Sequence, residues 1–141
     1  RLQQELNTPI CLDESIRSVR DAKLALELGS CQIINIKPGR VGGIASSKAI
    51  HDICLEANIP VWCGGMLESG VGRAHNVALA SLPGFVLPGD ISESQRYWAQ
   101  DIVDPEFTIS DGLVDVPNGK GIGVTVLEDL VTRLTVQSTD F

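Results

Sequence analysis

Four short apolar runs, "TPICL" (8–12), "CQIINI" (31–36), "IPVWC" (59–63) and "FVL" (85–87), recur along the chain with a helix-like stretch between each pair. After the first run, Ser18 with Asp21 offers a capping box to a helix carrying Val19, Ala22 and Leu26, which Gly29 stops. After the second, a helix over about 43–57 places Ile50, Ile53, Cys54 and Ala57 at helical spacing. After the third, a helix over about 70–82 ends at Pro83. Strand starts near 9, 31, 60 and 85 therefore predict a βαβαβαβ succession of parallel strands joined by right-handed crossovers.

Beyond residue 90 the pattern changes. "EFTISDGLVDV" (106–116) alternates apolar and polar residues about Asp111-Gly112, a hairpin signal. Thr125 with Glu128 then offers a cap to an amphipathic helix of Val126, Leu127, Leu130, Val131 and Leu134. This tail differs in kind from the repeated unit, which predicts that it packs on a partner element.

Composition narrows the function. At 141 residues and 43% hydrophobic the chain can bury the core of one small domain. A net charge of −7, with the eleven Lys and Arg scattered, argues against nucleic-acid or anionic-membrane partners. No run is apolar for long enough to span a bilayer as a helix. The chain opens on Arg1, holds a single methionine at Met66 and has no signal-peptide pattern, so a piece of a longer protein is expected. Cys11, Cys31, Cys54 and Cys63 fall singly on apolar strand or helix positions, as reduced core thiols of a cytoplasmic protein would. His51 and His75 lack zinc-ligand spacing and are expected to be ordinary helix residues.

The chemistry gathers at the strand ends. Ile33, Ile34 and Ile36 read as a strand covered on both faces, and Pro38, Gly39, Gly42 and Gly43 end it directly after Lys37. Asp13-Glu14-Ser15 follows the first strand, Gly64 to Gly70 the third, and Gly89-Asp90 the fourth. In a parallel sheet those residues share one rim, the edge where α/β proteins place their sites. A solvated rim would also be polar, but it has no need of a charge flush against three isoleucines.

"LDES" (12–15), "NIKPGRVGG" (35–43) with Lys37 24 positions after Asp13, "PVWCGGMLESGVGRAHNVALASLP" (60–83) and "LPGD" (87–90), in that order, resemble the later half of the barrel of enolase-superfamily enzymes. Within that superfamily the resemblance is to the group holding o-succinylbenzoate synthases and N-acylamino acid racemases, and it runs from about Thr8 to Phe141. It implies that residues 1–103 form part of a (β/α)7β barrel and that residues 104–141 return to a cap domain. It also implies abstraction of the proton α to a carboxylate, with an enediolate stabilised by Mg²⁺.

Under the resemblance Asp13 is the third of three carboxylate ligands to Mg²⁺. Lys37 is one of two facing lysines that act as acid and base, or as a cation beside the intermediate. Gly65, Met66 and Leu67 line the substrate, with Asp90 beyond them, while Glu14, Arg40 and Glu68 support the site. Arg40 is expected to help depress the Lys37 amine by like-charge repulsion.

The other two ligands and the partner lysine belong, by the same resemblance, to earlier strands that this chain does not contain. The chain is therefore expected to carry half of an active site, to be inactive alone, and to associate with itself or with the missing half. Three functions follow. The first is part of a Mg²⁺-dependent synthase or racemase acting on a small carboxylate, with dipeptide epimerase or muconate cycloisomerase as alternatives. The second is a non-catalytic half-barrel interaction module. The third is a phosphate-binding α/β domain, suggested by "GVGRA" (70–74), too short to count as a dinucleotide fingerprint.

Overall fold

The computed structural model describes residues 2–139. A single turn, α1 (Leu2–Glu5), precedes β1 (Cys11–Leu12). The buried Gln3 joins them, its Oε1 accepting the Ile10 amide at 2.6 Å. Helix α2 (Val19–Glu27) begins where Ser18 Oγ accepts the Asp21 amide, and Asp21 in turn accepts the Arg17 amide. Strand β2 (Ile33–Ile36) follows, then a one-turn helix α3 (Pro38–Val41), α4 (Ile44–Glu56), β3 (Val61–Cys63) and α5 (Gly70–Ala80).

The three strands form a parallel sheet in the order β1-β2-β3, with Cys11 beside Ile33 and Ile34 beside Val61. One face is buried. Leu12, Ile34, Ile36, Val61 and Cys63 pack there against Ala22 and Ala25 of α2 and Ile50 and Cys54 of α4. Each fully buried isoleucine contributes roughly 1.5–3 kcal/mol to this core. A second cluster joins Ala74 and Val77 of α5 to Val103 and Phe107 of the tail. Among the described residues no helix is long and apolar enough to cross a membrane.

Helix α3 was not foreseen. Pro38 starts it without needing an amide partner, and Gly42 and Gly43, at φ +93° and +100°, reverse the chain into α4 in a conformation few other residues tolerate. The fourth strand is a correction. Only two isolated parallel bridges form, Val61 to Phe85 and Gly64 to Asp90, because Pro88 and Gly89 interrupt the run between them.

The tail is corrected in two places. The Asp111-Gly112 turn forms, with both residues at positive φ, but it closes a single bridge, Ser110 to Leu113, rather than a ladder. Thr125 does not cap the last helix. It lies in β5 (Thr125–Val126), paired antiparallel to β4 (Val103–Asp104), and α6 (Glu128–Leu134) starts after Leu127.

Candidate active site

Alternation along β2 decides which side chains reach the open face. Ile34 and Ile36 lie under the helices, so Ile33, Asn35 and Lys37 take the other face. Register places Cys11 and, two residues on, Asp13 on that same face. Trp62 joins them from β3, its Nε1 donating to Cys11 Sγ at 3.2 Å. Cys11 is exposed here, unlike Cys31, Cys54 and Cys63, because it belongs to the open side of the sheet rather than to the core.

Asp13 and Lys37 each stand one residue beyond a strand end. Lys37 Nζ donates to Asp13 Oδ2 at 3.1 Å, with the lysine side chain only 17% exposed and the aspartate 29%. Arg40, carried round by α3, pairs through Nη1 with Asp13 Oδ1. Its Nε donates to the Ile16 carbonyl at 2.7 Å and its Nη2 to the Asn35 carbonyl. The guanidinium thus ties three segments together rather than standing free beside the amine. Burial works to raise the Asp13 carboxyl, but hydrogen bonds and charge from Lys37 and Arg40 outweigh it and hold the carboxyl below its ordinary value.

Glu14 is 83% exposed and 4.0 Å from Lys37 Nζ. Gly64 lies flush against the site, since a Cβ there would meet Asn35 Oδ1 at 2.5 Å and Lys37 Cε at 2.7 Å. Both polar atoms of Asn35 are buried without a hydrogen-bond partner.

The loop after β3 supplies the remaining wall. Gly65 passes so close to the chain at Asp90 that a Cβ would fall 1.8 Å from the Asp90 carbonyl oxygen. The Asp90 amide donates to the Cys63 carbonyl at 2.9 Å, which seats that residue beside the rim with its side chain exposed. Met66 and Leu67 are exposed. Glu68 folds back, its carboxylate accepting the Met66 amide at 2.7 Å and Asn76 Nδ2 at 3.0 Å. A cavity of about 380 Å³ is lined by Glu14, Lys37, Gly39, Arg40 and Met66. Another of about 400 Å³, between α4, α5 and the loop near Pro117, shares none of these residues and is mostly apolar.

A metal site is not complete here. Among the described residues no group of three or more His, Cys, Asp and Glu comes together, and both Asp13 oxygens are held by cations. These residues fit Mg²⁺ only as one donor of a larger set. The histidines are engaged elsewhere. His51 Nε2 accepts the Gly84 amide at 3.0 Å and its ring stacks on Phe85, and His75 Nδ1 lies 2.8 Å from the Val71 carbonyl.

One feature escaped the sequence. "GVGRA" opens α5, but the Gly70 amide donates to Asp101 Oδ1 at 2.7 Å, so an internal carboxylate takes the place a phosphate would need. Asp101 also pairs with the buried Arg73 at 3.0 Å.

A parallel sheet with helices packed on it and an acid and an amine at its carboxyl-end rim defines the chain as an α/β protein with its candidate site where such folds place theirs. The chain belongs to the enolase C-terminal domain-like family, whose model matches residues 1–130. It is 60% identical over 135 residues to o-succinylbenzoate synthase of Geobacillus kaustophilus, an alignment covering 96% of this chain and 36% of the relative. It is 54% identical over 134 residues to N-succinylamino acid racemase of an Amycolatopsis species, covering 95% of this chain and 36% of that one. A solved enolase-superfamily member from Listeria innocua superposes with a TM-score of 0.89 at 53% identity, over 94% of this chain and 36% of that one. The chain thus spans little more than a third of the length of these relatives.

Proposed function

We propose that this chain is the part of an o-succinylbenzoate synthase or N-acylamino acid racemase that carries one lysine and one carboxylate of the active site. The observation that supports this most directly is the contact between Lys37 and Asp13 on the open rim of adjacent parallel strands. The substrate is a small carboxylate. Lys37 takes or returns the proton α to that carboxylate, and the buried surroundings of the amine keep water from competing.

Asp13 would contribute one donor to Mg²⁺, with the other donors and a facing lysine coming from other strands. When bound, Mg²⁺ supplies positive charge against the enediolate that proton abstraction produces. Gly65, Met66 and Leu67 shape the substrate's side, with Asp90 beyond, and Glu14, Arg40 and Glu68 hold the rim in place. Residues 104–141 belong to a cap over the barrel, and the open sheet face is covered by further strands or by a second copy.

The test uses a protein of the relatives' full length with this segment in place, offered both a succinyl cyclohexene carboxylate for dehydration and an N-acylamino acid for racemisation. Turnover of either, lost by about 10²–10⁴ or more in Lys37→Ala, supports the proposal. Turnover of a dipeptide or a muconate alone favours the epimerase or cycloisomerase alternative. Near-normal turnover in Lys37→Ala makes the lysine a structural charge and overturns the assignment.

A further inference from the structure

Behind the rim lies a charged cluster that proton transfer does not use. Arg73 and Asp101 are only 2% and 1% exposed and pair at 3.0 Å. Ser94 Oγ donates to Asp101 Oδ2 at 2.7 Å and accepts the Phe107 amide at 3.2 Å. Asp101 Oδ1 accepts the amides of Gly70 and Ile102, each at 2.7 Å. Among the described residues every polar partner of the pair is internal.

Its one outward connection is specific. Arg73 Nη2 donates to the Glu68 carbonyl at 3.0 Å, and Trp98 Nε1 donates to the same oxygen at 3.1 Å. Glu68 in turn holds the Met66 amide through its carboxylate. Met66 lines the cavity that contains Lys37 and Arg40. A continuous chain of contacts therefore runs from the tail, through Asp101 and Arg73, to the loop wall opposite the lysine.

We propose that Arg73, Asp101, Ser94 and Trp98 are positioning residues that hold the Gly64–Ser69 loop from behind, making the segment between residue 90 and the cap a determinant of substrate binding. This rests on the proposed function in one respect, that Met66 and Leu67 face the substrate. A buried, fully partnered ion pair is a weak source of net stability, but it fixes geometry well, and an error of about 1 Å in a binding wall is enough to be felt in the kinetics.

The experiment uses two variants of a protein of the relatives' full length carrying this segment. Arg73→Lys keeps the charge opposite Asp101 but cannot fork to the Glu68 carbonyl as well. Trp98→Phe removes the other donor to that carbonyl from a partly exposed position, so it keeps the proposal testable if Arg73→Lys does not fold. Amide hydrogen exchange at Met66 and Gly70 reads the loop without reference to activity, while the Ile34 amide, bonded to Pro60 across the sheet, and the Ile59 amide, bonded to Cys54 at the end of α4, report whether the rest of the fold remains intact.

The expected result is faster exchange at Met66 with Ile34 and Ile59 still protected, together with a KM raised roughly tenfold and kcat within about threefold. Unchanged exchange at Met66 in both variants overturns the clamp. Faster exchange with an unchanged KM overturns its role in substrate binding. Absence of turnover in the parent protein defeats the proposed function instead, and the exchange arm still reads the clamp.

Discussion

Replacing Gly64 by alanine moves Lys37 without touching its chemistry. The new Cβ would stand 2.7 Å from Lys37 Cε and 2.5 Å from Asn35 Oδ1. Carbon atoms settle at about 3.5–4.0 Å, so Lys37 Cε must retreat by roughly 1 Å and carry Nζ with it. Nζ begins 3.1 Å from Asp13 Oδ2, and because β2 lies between β1 and β3 a push from Gly64 drives the amine toward the Asp13 side and out of its present geometry. A misplacement of about 1 Å costs on the order of 10²-fold in rate, or about 2.7 kcal/mol of transition-state stabilisation. Stability should suffer less than a backbone clash would cause, about 1–2 kcal/mol, because both obstructing groups are side chains, although Asn35 is fully buried. The assay compares kcat and urea midpoints of Gly64→Ala, Lys37→Ala and the double variant in a full-length protein. The double variant should be no slower than Lys37→Ala alone, since both act on one amine. A Gly64→Ala enzyme within about threefold of the parent would refute the placement of Lys37 at the reacting centre.

Gly65→Ala should behave oppositely, because its Cβ would meet the Asp90 backbone oxygen at 1.8 Å and must displace the whole fourth segment. A stability loss of about 2–4 kcal/mol by urea unfolding is expected, combining overpacking with the loss of the Asp90 to Cys63 hydrogen bond. Burial pushes the Cys54 and Cys63 thiols up to about 12, so folding favours their protonated form. Their contribution is present below the ordinary value of 9.0 and is lost as pH rises from there toward 12, at roughly 1.4 kcal/mol per pH unit for each thiol. Urea midpoints at about pH 7 and about pH 10 in parent and Cys63→Ala should show a shallower loss in the variant, and a neutral-pH alkylating reagent should label Cys11 first. Residues 1–141 expressed alone should self-associate through the open sheet face and its edges, show no synthase or racemase turnover and bind Mg²⁺ weakly. Light scattering that finds a folded monomer with micromolar Mg²⁺ affinity would count against this.

The parallel repeat and the rim were legible because each rests on a local signal. β-Branched runs, helical spacing and glycine stops mark α2, β2, α4, β3 and α5 closely, and a lysine flush with three isoleucines marks the strand end. What was missed depends on pairing at a distance. Thr125 looked like a cap until β4 claimed it for a sheet, and nothing beside Thr125 in sequence announces Val103 and Asp104 as its neighbours. "GVGRA" resembled a phosphate loop because its actual partner, Asp101, lies 28 residues from Arg73 and outside any periodic element. The fourth strand was over-extended for the opposite reason. "FVL" has strand composition, but Pro88 and Gly89 cut the ladder to two bridges.

The charge balance of the rim says what this segment supplies and what it leaves to others. Inside the rim one carboxylate, Asp13, faces two cations, Lys37 and Arg40, and Glu14 adds only an exposed charge at 4.0 Å. At an effective dielectric near 20, two unit charges about 4 Å apart interact by about 4 kcal/mol, so a divalent cation brought to Asp13 would be repelled by both neighbours nearly as strongly as the carboxylate attracts it. Mg²⁺ becomes favourable there only when further carboxylates stand opposite. The cavity that Met66 lines holds Glu14 beside Lys37 and Arg40, so with Asp13 the rim sets two carboxylates against two cations. Inside the rim the segment thus supplies one carboxylate, Asp13, and two cations, Lys37 and Arg40. Under the proposed function, the further carboxylates that a metal at Asp13 needs would come from outside this segment.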